Sequence, residues 1–144
     1  MDLEGQSYIL GRFLERDENM GRVEQRVSVP LEARSYDIVI KPGLIDELAT
    51  RLQSLASTGR VGIVTDRHVA RHYLRAVVGQ CEQAGLHPVP IVLPPGEKNK
   101  TLVTVGKILD VLAKEHFERK SLLLALGGGV VGDVTGFAAA IYQR

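Results

Sequence analysis

Hydrophobic and polar residues along this chain follow two spacings, which separate predicted strands from predicted helices. An alternating stretch covers Val23–Val29 and ends at Pro30, as expected of an exposed strand. Later strands are short continuous apolar runs, and Leu122–Leu126 is the clearest of them. Between the runs, apolar residues recur three or four positions apart, which is the spacing of a helix with one buried face. The pattern predicts strands at 23–29, 36–40, 60–65, 88–93 and 121–126, and helices at 44–55, 66–84, 102–114 and from the glycines near 130 to the end.

The order of these elements predicts the fold class. Strands that alternate with helices of this length form a parallel sheet with helices on both faces. Continuous apolar strands support the same choice, because parallel strands are buried on both sides. We therefore expect a doubly wound, Rossmann-like α/β domain over residues 23–144, with an N-terminal β-hairpin. Residues 1–22 carry mixed charges without a clean period and are expected to be an extension.

Composition narrows the class of protein. The chain has 144 residues, 44% of them hydrophobic and 24% charged, and a net charge of +1. This near-neutral balance gives no electrostatic reason to expect a nucleic-acid partner. No apolar run approaches the roughly 20 residues of a membrane span, and the acidic N-terminus does not resemble a signal peptide. A single cysteine, Cys81, fits a reducing compartment, so a cytoplasmic location without a membrane partner is expected.

A glycine-rich turn links the last predicted strand to the last helix. Gly127, Gly129 and Gly132 satisfy the G-x-G-x-x-G spacing, which lets backbone N–H groups and a helix N-terminus approach a phosphate. The alternative is a tight turn that needs glycines for positive φ or close packing. Asp133 follows and is expected in the first helical turn, either complementing the helix dipole or facing a hydroxyl of a ligand.

Two further loops follow predicted strands at the edge where doubly wound folds bind ligands. Glu97 and Lys100 lie three apart in PPGEKNKT and form either a surface ion pair or part of a ligand site. Asp66 is either a helix N-cap or an acceptor for ribose hydroxyls. His68 and His72 have a spacing that can bind metal, but no third ligand lies near them in sequence.

Taken together, three of these segments resemble the N-terminal half of 3-dehydroquinate synthase, of the sugar phosphate cyclase superfamily. They are VTDRHV, LPPGEKNKT and LLALGGGVVGDVTGFAAAIYQR, and the resemblance covers about 23–144. Glycerol dehydrogenase and iron-type alcohol dehydrogenases share the GGG turn, but the sequence GDVTGFAA that follows it favours the cyclases. Another sugar phosphate cyclase, a glycerol dehydrogenase-like NAD enzyme and a non-catalytic dinucleotide-binding module stay open as alternatives.

The resemblance implies an NAD⁺-binding domain whose catalytic partner domain lies beyond this chain. That helical domain would hold a zinc or cobalt ion and most substrate contacts, so no metal ligand is expected among these 144 residues. The implied substrate is a phosphorylated sugar acid, 3-deoxy-D-arabino-heptulosonate 7-phosphate, which the shikimate pathway converts to 3-dehydroquinate and phosphate. The family also implies a homodimer, and we expect the isolated chain to lack cyclase activity.

The resemblance also assigns individual positions. It places the cofactor against Asp66, His68, Glu97, Lys100, Gly128, Gly129, Val130 and Asp133, and the substrate against Arg144.

Each of these positions has an implied role. Asp66 would hold the adenosine ribose, Glu97 and Lys100 would lie by the ribose and phosphate, and residues 128–130 would bind the pyrophosphate through their backbone. Asp133 would reach the nicotinamide end. His68 stands where the family commonly has asparagine, which leaves that contact open.

Overall fold

The computed structural model describes residues 24–143, apart from the side chain of Arg34. The predicted extension at residues 1–22, the start of the first predicted strand at Val23, and Arg144 lie outside the described residues. Five strands and five α-helices follow one another along the described part of the chain.

The strands form two separate sheets. Strands β1 (Gln25–Val29) and β2 (Tyr36–Ile40) pair antiparallel as the predicted hairpin, with Val27 opposite Ile38. Strands β3, β4 and β5 form a parallel sheet with β3 in the middle, in the order β4-β3-β5. These three strands span Arg60–Asp66, His87–Leu93 and Leu122–Leu126. The predicted α/β fold with a parallel sheet and a hairpin is therefore confirmed.

The helices agree with the predicted positions and differ in detail. Helix α1 (Leu48–Leu55) is preceded by a 3-10 turn at Leu44–Glu47, so the predicted helix at 44–55 has two parts. Helix α2 (Arg67–Val69), a π-helical turn (Ala70–Leu74) and α3 (Arg75–Gln83) follow β3 without a break. Helix α4 spans Leu102–Lys114 as predicted, and α5 spans Gly129–Ile141.

The π-helical turn has a packing reason. Val69 and Leu74 both pack against the cluster of buried residues that includes Val77 and Cys81. They are five residues apart, which a regular α-helical turn does not place on one face. A wider turn at Ala70–Leu74 therefore brings both side chains onto the sheet.

Two apolar layers cover the two faces of the parallel sheet. One layer packs α4 and α5 through Ile108, Leu112 and Val134 onto Val64 of β3. The other packs α1 and α3 through Leu52 and Val77 onto Val61 and Ile63 of the same strand. Successive β3 side chains point to opposite faces, so the helices lie on both sides, as a doubly wound fold requires.

One apolar position in the helical pattern of residues 102–114 is not buried. The helical spacing places Leu102 on the buried face of α4, but its side chain is 74% exposed. Leu102 is the first residue of α4, where the helix has not yet reached the sheet, and Thr104 is buried in the first turn instead.

The end of the described chain is anchored to the loop after α4. The Tyr142 hydroxyl and the Gln143 side-chain amide both donate to the carbonyl oxygen of Phe117, each at 2.8 Å. Phe117 is itself buried in the layer of α4 and α5, so these bonds fix the C-terminal end of α5. No helix within residues 24–143 has the length and hydrophobicity needed to cross a membrane.

Candidate nucleotide-binding site

The connections of the parallel sheet create a crevice at its carboxyl edge. The chain leaves β3 toward the layer of α1 and α3, and it leaves the neighbouring strand β5 toward the layer of α4 and α5. The loops after β3 and β5 therefore diverge to opposite faces, which defines the topological switch point where doubly wound folds bind ligands. Asp66 stands on one side of this crevice and Gly127–Gly129 on the other.

Asp66 caps the helix that follows β3. Its Oδ1 accepts hydrogen bonds from the backbone N–H of His68 at 2.7 Å and of Val69 at 3.2 Å. The structure thus shows the N-cap role, one of the two roles that the sequence leaves open. The second carboxylate oxygen has no hydrogen bond within the described part of the chain, so capping does not occupy the whole side chain.

The glycine turn combines one tight position with two open ones. A Cβ on Gly127 would lie 2.7 Å from Cγ2 and 2.9 Å from Cβ of Val131, whereas a Cβ on Gly128 or Gly129 would meet nothing within 4 Å. None of the three has positive φ, so close packing at Gly127 is what requires glycine. The backbone of Gly128 and Gly129 is exposed and open to a ligand.

The N-terminus of α5 lacks the side-chain cap that the other two helices at this edge possess. Asp66 caps α2 and Thr101 caps α4, but no side chain caps α5. The first backbone bond of α5 runs from Gly132 N–H to the Gly128 oxygen at 3.0 Å. The N–H groups of residues 129–131 precede that bond and have no intrahelical acceptor. Together with the helix dipole they form a site suited to an anion.

Three charged side chains meet beside this turn. Lys100 Nζ lies 2.6 Å from Asp133 Oδ2 and 3.9 Å from Glu97 Oε1. The hydrogen bond to Asp133, followed by the charges of Asp133 and Glu97, raises the pKa of Lys100, so the amine stays protonated at neutral pH. All three side chains are substantially exposed.

The predicted position of Asp133 needs a correction. The helix begins at Gly129 rather than after the glycines, so Asp133 is its fifth residue and lies in the second turn. Favourable interaction with a helix dipole falls off beyond the first turn, and the direct partner of Asp133 is Lys100. The sequence predicts the pairing of Glu97 with Lys100 but gives no signal for the contact with Asp133, because that contact joins the loop after β4 to helix α5.

The remaining candidates do not form a second site. The imidazoles of His68 and His72 are exposed, and residues 24–143 contain no cluster of three or more His, Cys, Asp or Glu side chains arranged to hold a metal. Val130 is half-buried at the second position of α5. Arg144 lies outside the described residues, and α5 ends at Ile141 rather than at the predicted Arg144.

Comparison with known proteins identifies the family of this arrangement. The family model described as 3-dehydroquinate synthase N-terminal matches residues 90–144. These residues include the loop that carries Glu97 and Lys100, and the glycine turn. The 3-dehydroquinate synthase of Rhizobium etli is 42% identical over 120 residues, which are 83% of this chain and 32% of that protein. The chain is thus similar to the N-terminal domain of 3-dehydroquinate synthases. The enzyme of the same name from Nitrobacter hamburgensis is 46% identical over 118 residues, covering 82% of this chain and 31% of that protein.

Solved structures of sugar phosphate cyclases share the fold of this 3-dehydroquinate synthase-like domain. A 2-epi-5-epi-valiolone synthase from Streptomyces hygroscopicus, with NAD⁺ and Zn²⁺ bound, has a TM-score of 0.67 at 30% identity and covers 83% of this chain. A 2-deoxy-scyllo-inosose synthase, complexed with carbaglucose-6-phosphate, NAD⁺ and Co²⁺, has a TM-score of 0.70 at 19% identity and shows the fold alone. This chain covers 32% and 33% of those two chains, and it spans about a third of the length of the curated relatives it matches.

Proposed function

We propose that this chain is the NAD⁺-binding domain of a 3-dehydroquinate synthase that acts in the cytoplasm. The observation that carries the proposal is the uncapped N-terminus of α5 beside the open backbone of Gly128 and Gly129, directly across the switch point from Asp66. One side of the crevice offers N–H donors to a pyrophosphate, and the other offers a carboxylate to ribose hydroxyls. This is the pair of features that a dinucleotide requires.

The described residues fit the cofactor. Gly128 and Gly129 leave open space where a side chain would stand, so a pyrophosphate can approach the N–H groups of Gly129 and Val130. Asp66 can accept from ribose with the oxygen that does not cap α2. Glu97, Lys100 and Asp133 lie together at the rim, and the backbone N–H of His68 is held by Asp66.

NAD⁺ supplies reversible hydride transfer when bound, and the contribution of this domain is to bind and orient it. In the proposed whole enzyme, 3-deoxy-D-arabino-heptulosonate 7-phosphate is converted to 3-dehydroquinate and phosphate. By the resemblance to this family, a zinc or cobalt ion and most substrate contacts would belong to a further domain. We therefore expect the 144-residue chain to release no phosphate from the substrate, and Arg144 stays a proposed substrate contact.

A second candidate is another sugar phosphate cyclase, which the 30% identity to the valiolone synthase supports. The 3-dehydroquinate synthases are favoured because their identity to this chain is 42% and 46% over similar lengths. Substrate assays on a protein that contains both domains would separate the two reactions.

Substitution of Asp66 tests the proposal while separating its two roles. Asp66→Ser keeps an N-cap oxygen but is too short to reach a ribose, whereas Asp66→Ala removes both functions. We expect Asp66→Ser to retain the melting temperature and to weaken NAD⁺ binding at least tenfold, since a hydrogen bond to a charged group contributes roughly 1.5–3 kcal/mol. Asp110→Ser, an exposed acid in the middle of α4, is the control. Equal NAD⁺ affinity in calorimetric titrations of wild type and Asp66→Ser would remove the ribose role.

A further inference from the structure

The pairing of Lys100 with Asp133 links the loop after β4 to helix α5, which follow two strands that are not neighbours in the sheet. Lys100 follows the outer strand β4, and Asp133 lies on the helix that follows the other outer strand β5. Helices α4 and α5 pack in one apolar layer, which brings Lys100, just before α4, next to Asp133 on α5. The contact therefore depends on the fold and not on local sequence.

The negative charge of Asp133 would repel an anion bound at the N-terminus of α5. Residues four apart on a helix lie on the same face, so the Asp133 carboxylate stands one turn from Gly129, whose face is open to a ligand. A pyrophosphate at the N–H groups of α5 would lie roughly 6 Å from this negative charge, which is the spacing of neighbouring positions on one helix face. Two unit charges at that separation change a binding constant by a factor between about 3 and about 100, depending on the local dielectric.

The amine of Lys100 is close enough to Asp133 to offset this repulsion. Its amine lies 2.6 Å from the Asp133 carboxylate, so its positive charge offsets the acid where the repulsion would act. The nearer of its two acidic neighbours is Asp133, since Glu97 lies at 3.9 Å. Resting on the proposed function, we propose that Lys100 is a positioning residue that supports phosphate binding by neutralising Asp133, rather than by contacting the phosphate itself.

A double-mutant cycle tests this role. The variants are Lys100→Met, Asp133→Asn and the combination of both. The probe is inorganic pyrophosphate, which has no ribose or nicotinamide for Asp133 to contact directly. Binding is followed through the backbone amide resonances of Gly128, Gly129 and Val130 in the full 144-residue chain, and a parallel titration uses NAD⁺. Lys98→Met is the matched control, because it removes the same charge from an exposed position of the same loop.

The proposal expects Lys100→Met to weaken pyrophosphate binding about tenfold and the double variant to bind within about threefold of wild type. Lys98→Met should change the affinity much less than Lys100→Met. If the double variant stays as weak as Lys100→Met, the lysine contacts phosphate directly and the proposal is overturned. An unchanged affinity in Lys100→Met would overturn it as well.

Failure of the proposed function gives a different result. If NAD⁺ does not bind, but the double variant recovers the pyrophosphate affinity that Lys100→Met loses, the dinucleotide proposal fails and the role of Lys100 stands. If neither probe shifts the three amide resonances of the wild type, both proposals are wrong.

Discussion

Gly127→Ala tests the packing that holds α5 against the end of β5. The added Cβ would lie 2.7 Å from Cγ2 and 2.9 Å from Cβ of Val131, distances at which the atoms must move apart. Val131 is 3% exposed, and a β-branched side chain in a helix has essentially one rotamer. Rotation of the Val131 side chain therefore cannot relieve the clash, and the backbone of the turn has to shift.

Overpacking of this kind costs about 1–3 kcal/mol, and the rigid neighbour places Gly127→Ala near the upper end. For a chain of this size, that loss lowers the melting temperature by roughly 10 °C. The assay is thermal unfolding followed by circular dichroism, with urea unfolding as a second measure of the free energy.

Gly128→Ala is the matched control for this prediction. A Cβ at Gly128 meets nothing within 4 Å, and its φ of −87° and ψ of −165° are accessible to alanine. Its melting temperature should equal or slightly exceed that of wild type, because alanine restricts the unfolded chain, while its methyl group should hinder a ligand at the turn. Val131→Ala combined with Gly127→Ala should cost less than the sum of the two single changes. A Gly127→Ala protein as stable as Gly128→Ala would refute the packing argument.

Two further predictions concern titratable groups. Burial, with a smaller contribution from the charge of Glu82, raises the pKa of the Cys81 thiol, so Cys81 should react with Ellman's reagent at pH 8 far more slowly in the folded chain than in urea; equal rates would contradict its burial in the layer of α1 and α3. The hydrogen bond from Lys41, with Arg51 contributing, lowers the pKa of Glu47, so this carboxylate adds stability above the unfolded pKa of about 4.3 that is lost as the pH falls through the folded pKa. The stability difference between wild type and Glu47→Gln should therefore shrink between about pH 5 and pH 3, and a difference that does not change with pH would rule out this linkage.

The periodicity of the sequence was sufficient to predict most of the fold. Runs such as Leu122–Leu126 and the helical spacing of 102–114 indicate their elements correctly, because burial on a regular element leaves a regular pattern. Leu102 shows the limit of this reasoning, since helical spacing identifies a face but not how far the helix extends beyond the sheet. The π-helical turn at Ala70–Leu74 is also absent from the pattern, because it arises from the packing of the helix on the sheet.

The candidate site was predictable in its parts and less so in its contacts. The loop positions of Asp66 and Gly128 follow from strand ends and a glycine motif, which are local signals. The bond between Lys100 and Asp133 is a product of tertiary packing, and the helix start at Gly129 moves Asp133 one turn from its predicted place. Sequence spacing cannot report either feature.

The two sides of the crevice belong to different apolar layers. Gly128, Lys100 and Asp133 are carried by elements that pack with α4 and α5, whereas Asp66 ends β3 and caps the helical segment that packs in the layer of α1 and α3. The two clusters of buried residues lie on opposite faces of the sheet and share no residue. A ligand that contacts both walls would therefore connect the two layers at the carboxyl end of the sheet.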